Sequence, residues 1–220
     1  QDLNFAAADA KAILASAKKF AGRLHQVVIG RLVADGQSIE PTADNIRQVL
    51  ELLGQARSND TVIVFLAGHG INDGADYLFL PRDAKLADGR WAPETVINWR
   101  KLQDTLAATK GRRIMVIDTC HAGNAFNPRL IKDADDANIT ILAATDADTL
   151  AEERAELGHG VFTHSLLKGL GGAADTGSDG AVEARELGKF IKQSVRGLTD
   201  GKQSPVAHLP ASGDFTVSRY

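Results

Sequence analysis

The residues with the clearest chemistry are a histidine between two glycines, Gly68-His69-Gly70, and the chain's single cysteine, in Asp118-Thr119-Cys120-His121-Ala122-Gly123. A thiolate is the attacking form of cysteine, so such a residue needs a base or cation nearby to lower its pKa, and an imidazole serves. Each segment follows an apolar, β-branched run, Val62-Ile63-Val64-Phe65-Leu66-Ala67 and Ile114-Met115-Val116-Ile117. Runs of that kind read as buried strands of a parallel sheet. Open α/β sheets place their sites at the carboxyl ends of such strands, which puts Cys120 and His69 at one rim. A lone cysteine is more often a small buried hydrophobe. The matched placement of the two residues beside glycines, which admit close backbone approach, favours catalysis instead.

Rival chemistries fail on spacing. A Cys-x5-Arg phosphate loop would need arginine where Phe126 stands, and an aspartyl-nucleophile phosphatase would want an acid at Cys120. Zinc sites commonly pair ligands as Cys-x2-Cys or His-x3-His; His159 and His164 have neither spacing.

The elements that must hold these residues alternate between strand and helix, which predicts parallel β-α units. Leu3 to Leu24 reads as an amphipathic helix, Val27 to Val33 as a strand, and Ala43 to Ala56 as a helix capped by Thr42. Strands follow at Val62–Ala67, Tyr77–Leu80, Arg112–Asp118, Ile139–Ala144 and Phe215–Ser218. Helices are predicted near Trp99–Ala108, Phe162–Leu170 and Glu183–Leu198. Thr145 to Gly160 reads as a polar loop without strands on the active rim.

A single α/β domain, 1–220, is the simplest account of 220 residues with 44% hydrophobic and 24% charged content. The net charge of −3 and the absence of a basic stripe argue against a nucleic-acid partner. No apolar run approaches the roughly 20 residues that span a bilayer, so no membrane partner is expected. One cysteine excludes an internal disulfide and suits a reducing, cytoplasmic setting. The chain opens at Gln1, compatible with additional domains upstream.

Taken as a set, the strand ends at Gly68-His69-Gly70 and Asp118 to Gly123 resemble the caspase-like cysteine peptidases, and within them the metacaspases and bacterial caspase-like proteases. Leu3-Asn4-Phe5-Ala6 with Asp9-Ala10, His159-Gly160-Val161-Phe162-Thr163 with Leu166-Leu167, and Gln203-Ser204-Pro205 with Gly213-Asp214-Phe215 agree in order. The resemblance implies a caspase-like (caspase-hemoglobinase) α/β sandwich, its mostly parallel central sheet flanked by helices. A large-subunit-like part would cover about 1–125 and a small-subunit-like part about 138–220. The family's first strand precedes its first helix, whereas this sequence starts at the helix. Many metacaspases carry serine where Ala67 stands. By the same resemblance Cys120 attacks the scissile carbonyl and His69 manages the leaving-group proton. The backbone N–H groups of Gly70 and Cys120 form the oxyanion hole, and His121 has a structural role.

Asp118 lies two residues before the nucleophile, on the same side of an extended strand. Caspases proper have glutamine there, and the resemblance makes Asp9 a second acid of the S1 pocket. Two carboxylates in a partly buried site repel until a cation arrives, and arginine adds bidentate geometry. Cleavage after Arg or Lys is therefore expected, with peptide and protein substrates as partners. The competing readings make Asp9 a surface helix residue and Asp118 a strand-end cap.

Asp175-Thr176-Gly177-Ser178-Asp179-Gly180 with Glu186 partly matches a calcium loop, although Gly177 offers no ligand and a glycine-rich turn capping the next helix is the simpler reading. No cofactor is required on this reading, while Ca2+ activation through Asp175, Asp179 and Glu186 stays open. Arg129, Lys132 and Arg154 are candidate self-processing sites, yet the short segment from His121 to Asn138 favours action as a single chain. Two other functions share the sequence features: a catalytically silent interaction module, and a transpeptidase or ligase using the same acyl-enzyme.

Overall fold

Val62, Val64 and Leu66 turn to one face of a strand while Ile63 and Phe65 turn to the other, and the computed structural model carries this strand, β1 (Thr61–Asp73), well past Ala67. The structure describes residues 4–73, 76–119, 128–146, 150–211 and 214–220. In chain order β1 is preceded by α1 (Ala6–Phe20) and α2 (Ala43–Glu51) and followed by β2 (Asp76–Leu80). Next come two short strands, β3 (Leu86–Ala87) and β4 (Arg90–Trp91), then β5 (Ile97–Asn98), α3 (Trp99–Ala108), β6 (Arg112–Thr119), α4 (Pro128–Asp136) and β7 (Ile139–Ala143). The second half holds β8 (Glu153–Arg154), β9 (His159–Gly160), α5 (Val161–Lys168), β10 (Ala181–Glu183), α6 (Ala184–Leu198), β11 (Val206–His208) and β12 (Thr216–Arg219).

The central sheet has six strands in the order β11-β7-β6-β1-β2-β5. Its core, β1, β6 and β7, is parallel. Antiparallel strands flank that core on both sides, β2 and β5 beyond β1 and β11 beyond β7. Two apolar layers sandwich it, as expected for strands buried on both faces. One layer packs Val64, Met115, Ile117 and Ile141 against Ile46 of α2 and Trp99, Leu102 and Leu106 of α3. The other packs Ile114, Val116 and Leu142 against Phe162 and Leu166 of α5 and Leu187 and Ile191 of α6, with Ile13 of α1 at its margin.

Local signals set most helix starts. Thr42 Oγ1 accepts from the Asn45 N–H at 3.3 Å, Asn98 Oδ1 from the Arg100 N–H at 2.8 Å, and Glu183 with Glu186 forms a capping box on α6. Helix α1 has no such side chain of its own. Glu153, from the far half of the chain, accepts the Asn4 and Phe5 N–H groups at 3.0 and 3.1 Å and satisfies that helix end.

Several expectations need correction. Val27 to Val33 is irregular chain, with Val27 and Ile29 72% and 77% exposed, because no described strand takes up its backbone groups. The Tyr77–Leu80 strand returns as a hairpin on β1 rather than entering a parallel unit, since only two residues, 74 and 75, separate β1 from β2. The segment after Ile139–Ala143 is not strandless: β8 and β9 form an antiparallel ribbon within it. Between His121 and Asn138 a helix, α4, occupies Pro128–Asp136. No helix among the described residues is long and apolar enough to cross a membrane.

Candidate active site

His69 is not beyond a strand end, as its sequence context suggested, but inside the extension of β1, where its register partner is Leu80 of β2. Its neighbour Gly68 pairs in parallel with Thr119, the last described residue before Cys120. The imidazole is exposed. Cys120 lies outside the described residues, as do His121 and the remainder of that motif to Asn127. Its chain predecessor, Thr119, is beside the chain predecessor of His69.

Tyr77 locks this junction. Its hydroxyl is hydrogen-bonded to Thr119 Oγ1, and its ring meets Trp99 edge-on with centroids 6.4 Å apart. Gly70 is buried directly against it, and a Cβ at that position would fall on the Tyr77 ring and hydroxyl. The close approach explains the second glycine of Gly68-His69-Gly70. Gly70→Ala is expected to cost about 1–3 kcal/mol through overpacking, measurable as a lower urea midpoint with an unchanged m-value. An unaltered midpoint would mean that Tyr77 yields freely.

The sequence-derived acids come together. Asp9 belongs to the inner stripe of α1 with Ile13, Ser16, Ala17 and Phe20, and it is only 3% exposed. Asp118 continues the Ile114 and Val116 face of β6 and is 9% exposed. Gly160 of β9 sits between them: a Cβ there would be 3.1 Å from Asp118 Oδ2 and 3.2 Å from Asp9 Oδ2. The surface reading of Asp9 does not survive, and the Asp118 carboxylate accepts the Thr163 hydroxyl at 2.6 Å. Asp9 accepts from His159 Nδ1 at 2.6 Å and from the Gly160 N–H at 3.2 Å.

Electrostatics follow from the packing. Burial pushes the Asp118 carboxyl up to about 7, with a further upward push from Asp9, against the opposing pull of the Thr163 hydrogen bond. Burial also raises Asp9, while His159 and Gly160 oppose the rise. The acids line an open cleft together with Gly68, Glu152 and Glu153. A larger apolar cavity, under α1 and lined by Ile13, Phe20, Ile63 and Leu187 among others, shares no lining residue with it.

Sequence reasoning missed several of these residues. Glu152 and Glu153 were submerged in a segment read as loop. His159 and Thr163 stood in a recognised motif without an assigned role. Thr163 did carry a signal, a hydroxyl on the buried face of α5 one turn after Gly160. Gln203, fully buried, donates to the Ala144 carbonyl at 2.9 Å and accepts from the Glu152 N–H at 3.1 Å, so the Gln203-Ser204-Pro205 segment braces the cleft wall.

The family model described as a caspase domain matches residues 1–215 of this chain, whose six-stranded sheet has a parallel core and helices on both faces. The chain belongs to the caspase-domain family. A comparison with curated proteins found no match. As a caspase domain it is a cysteine-type peptidase by class. The calcium candidates Asp175, Asp179 and Glu186 lie apart from the cleft lining. Asp175 accepts from the Ser178 and Gly180 N–H groups and the Tyr220 hydroxyl, Asp179 from the Ala181 N–H, and Glu186 from Thr176, Gly177 and Glu183. The Thr176 hydroxyl is the main cause holding Glu186 down at about 2. These oxygens cap the turn and α6, and among the described residues no three acids or histidines converge as a metal site requires. Of the basic residues, Lys132 is exposed on α4 and Arg154 is 3.5 Å from Glu152, while the Arg129 side chain lies outside the described residues.

Proposed function

We propose that this caspase domain is an endopeptidase of metacaspase type that cleaves after arginine or lysine through Cys120 and His69. The observation that carries the specificity is the pair Asp9 and Asp118 facing each other across Gly160 in a cleft edged by Gly68. A carboxylate pair so buried repels, which favours the neutral form of one member until a cation enters. A guanidinium or ammonium group satisfies both acids, and arginine fits with two parallel hydrogen bonds. Glu153 adds negative potential at the cleft, whereas Glu152 is ion-paired with Arg154.

In the reaction the Cys120 thiolate adds to the scissile carbonyl carbon, and the oxygen takes the negative charge. The N–H groups of Gly70 and Cys120 stabilise that oxyanion. His69 delivers a proton to the departing amine, the C–N bond breaks, and an acyl-enzyme is left. Water, deprotonated by His69, hydrolyses the thioester and regenerates the thiol. The pairing of Gly68 with Thr119 supports the dyad, since each is the residue immediately before one of its members.

Fluorogenic peptides carrying Arg, Lys or Asp at the cleaved position test the reading, with wild type and Cys120→Ala side by side. Turnover of the Arg and Lys peptides alone, absent in Cys120→Ala, is the expected result. Turnover of Asp peptides would keep the nucleophile and overturn the acidic subsite. No turnover of any peptide would favour an interaction module, and joined products in the presence of an added amine would favour ligation. The reaction as written needs no cofactor, and the same assay with calcium added or chelated tests whether the ion modulates it.

A further inference from the structure

We propose that His159 is a positioning residue for substrate specificity: it donates a hydrogen bond to the Asp9 carboxylate and aims it into the cleft, and so sets the affinity for a basic side chain. The inference rests on reading that cleft as the basic-residue subsite. Asp9 is nearly inaccessible, and two hydrogen bonds reach it from one two-residue strand, the Nδ1 of His159 at 2.6 Å on Oδ1 and the N–H of Gly160 at 3.2 Å on Oδ2. One short ribbon thus fixes both oxygens. The remaining charged neighbours work against ionisation, because Glu153 and Asp118 are both acids.

Burial alone would make Asp9 take up a proton, and the hydrogen bond from His159 is the largest influence opposing it. Without that donor, burial would shift Asp9 further toward its neutral form beside Asp118. A neutral carboxyl attracts a substrate cation far less than a carboxylate does, whereas the reacting atoms at the rim are untouched. The predicted defect is therefore in substrate binding. His159 itself is about 25% exposed at the side chain, so it can be replaced without opening the apolar core.

The ribbon placement explains why a histidine is used. Asp9 enters from α1 and Gly160 must pass between the two acids with no side chain, so the neighbouring position is the one available to supply a donor to Asp9. Nδ1 lies close to the backbone, and asparagine can place an amide N–H at nearly the same point.

The experiment compares His159→Leu, which keeps bulk but has no donor, with His159→Asn, which keeps the donor without the ring. With Arg peptides, His159→Leu is expected to raise KM about tenfold at pH 7.5 while kcat changes less than twofold, from loss of one hydrogen bond to a charged group. His159→Asn is expected to return KM to within about threefold of wild type. In an Asp9→Asn background His159→Leu should add nothing further. Equal KM in His159→Leu and wild type, equal defects in Leu and Asn, or full additivity with Asp9→Asn would each overturn the proposal. If His159→Leu does not fold, His159→Ala takes its place under the same criteria. If Asp9→Asn and Asp118→Asn leave KM for Arg peptides unchanged, the subsite reading itself fails. A KM raised by Asp9→Asn but not by His159→Leu would remove only the role of His159.

Discussion

His69→Ala is expected to lower kcat for arginine peptides by on the order of 10³-fold or more, with KM changed little. The imidazole is exposed and belongs to neither apolar layer, so its removal leaves the packing of β1 intact. What disappears is the acid that protonates the leaving amine and the base that activates water. Stability should stay within about 0.5 kcal/mol of wild type, the usual range for surface substitutions. Steady-state kinetics beside a melting curve decides the matter. A loss under tenfold would take His69 out of the dyad and direct attention to another proton carrier. A loss of activity with a large fall in melting temperature would point to the β1–β2 hairpin instead of the chemistry.

Asp118→Asn is expected to reduce kcat/KM for arginine peptides by on the order of 10²-fold, since truncating one partner of a buried charge pair commonly costs about 2–5 kcal/mol. The same change should make the free protein more stable at pH 8. The sign follows from linkage. Burial raises the Asp118 carboxyl from 3.8 in the unfolded chain to about 7 in the folded one, so the folded state binds the proton more tightly. The stabilisation is fully present below about pH 4 and is lost as pH rises through about 7. Asparagine has no proton to lose, and that decline should flatten in the variant. Substrate affinity runs the opposite way: a cationic side chain binds best once Asp118 is ionised, so KM for arginine peptides should fall as pH rises through about 7. Melting temperatures and KM between pH 5 and 8.5, for wild type and variant, test both signs together. A wild type whose stability and KM show no break near pH 7 would mean that Asp118 is already ionised without a ligand.

The opposition between those two effects is a familiar feature of working sites, where groups that destabilise the free protein are kept for what they bind. Here the repulsion is built in by geometry. Asp9 and Asp118 arrive from different elements, and Gly160 has no side chain to separate or neutralise them.

The central strands were legible in the sequence because their evidence is local. Val62 to Ala67 and Arg112 to Asp118 are short apolar runs bounded by glycine and polar residues, and they are strands in any context that buries them. Thr42 and Trp99–Ala108 were legible for the same reason, through a cap and a helical stripe. Val27 to Val33 has equally good strand composition and is irregular. A strand is a pairing rather than a property of one segment, and no described neighbour offers that pairing.

Residue type and position relative to the strands made His69, Cys120 and Asp118 the candidates, and the resemblance of their motifs named the family that the comparison then found. Tertiary structure alone decided that β1 continues through His69 as a hairpin, and that Glu153 closes the end of α1. It also brought His159 to Asp9 across a separation of 150 residues. Local sequence encodes periodicity and the preferences of single residues. Which distant groups meet depends on how the layers pack, and the charge of a buried acid depends on that packing too.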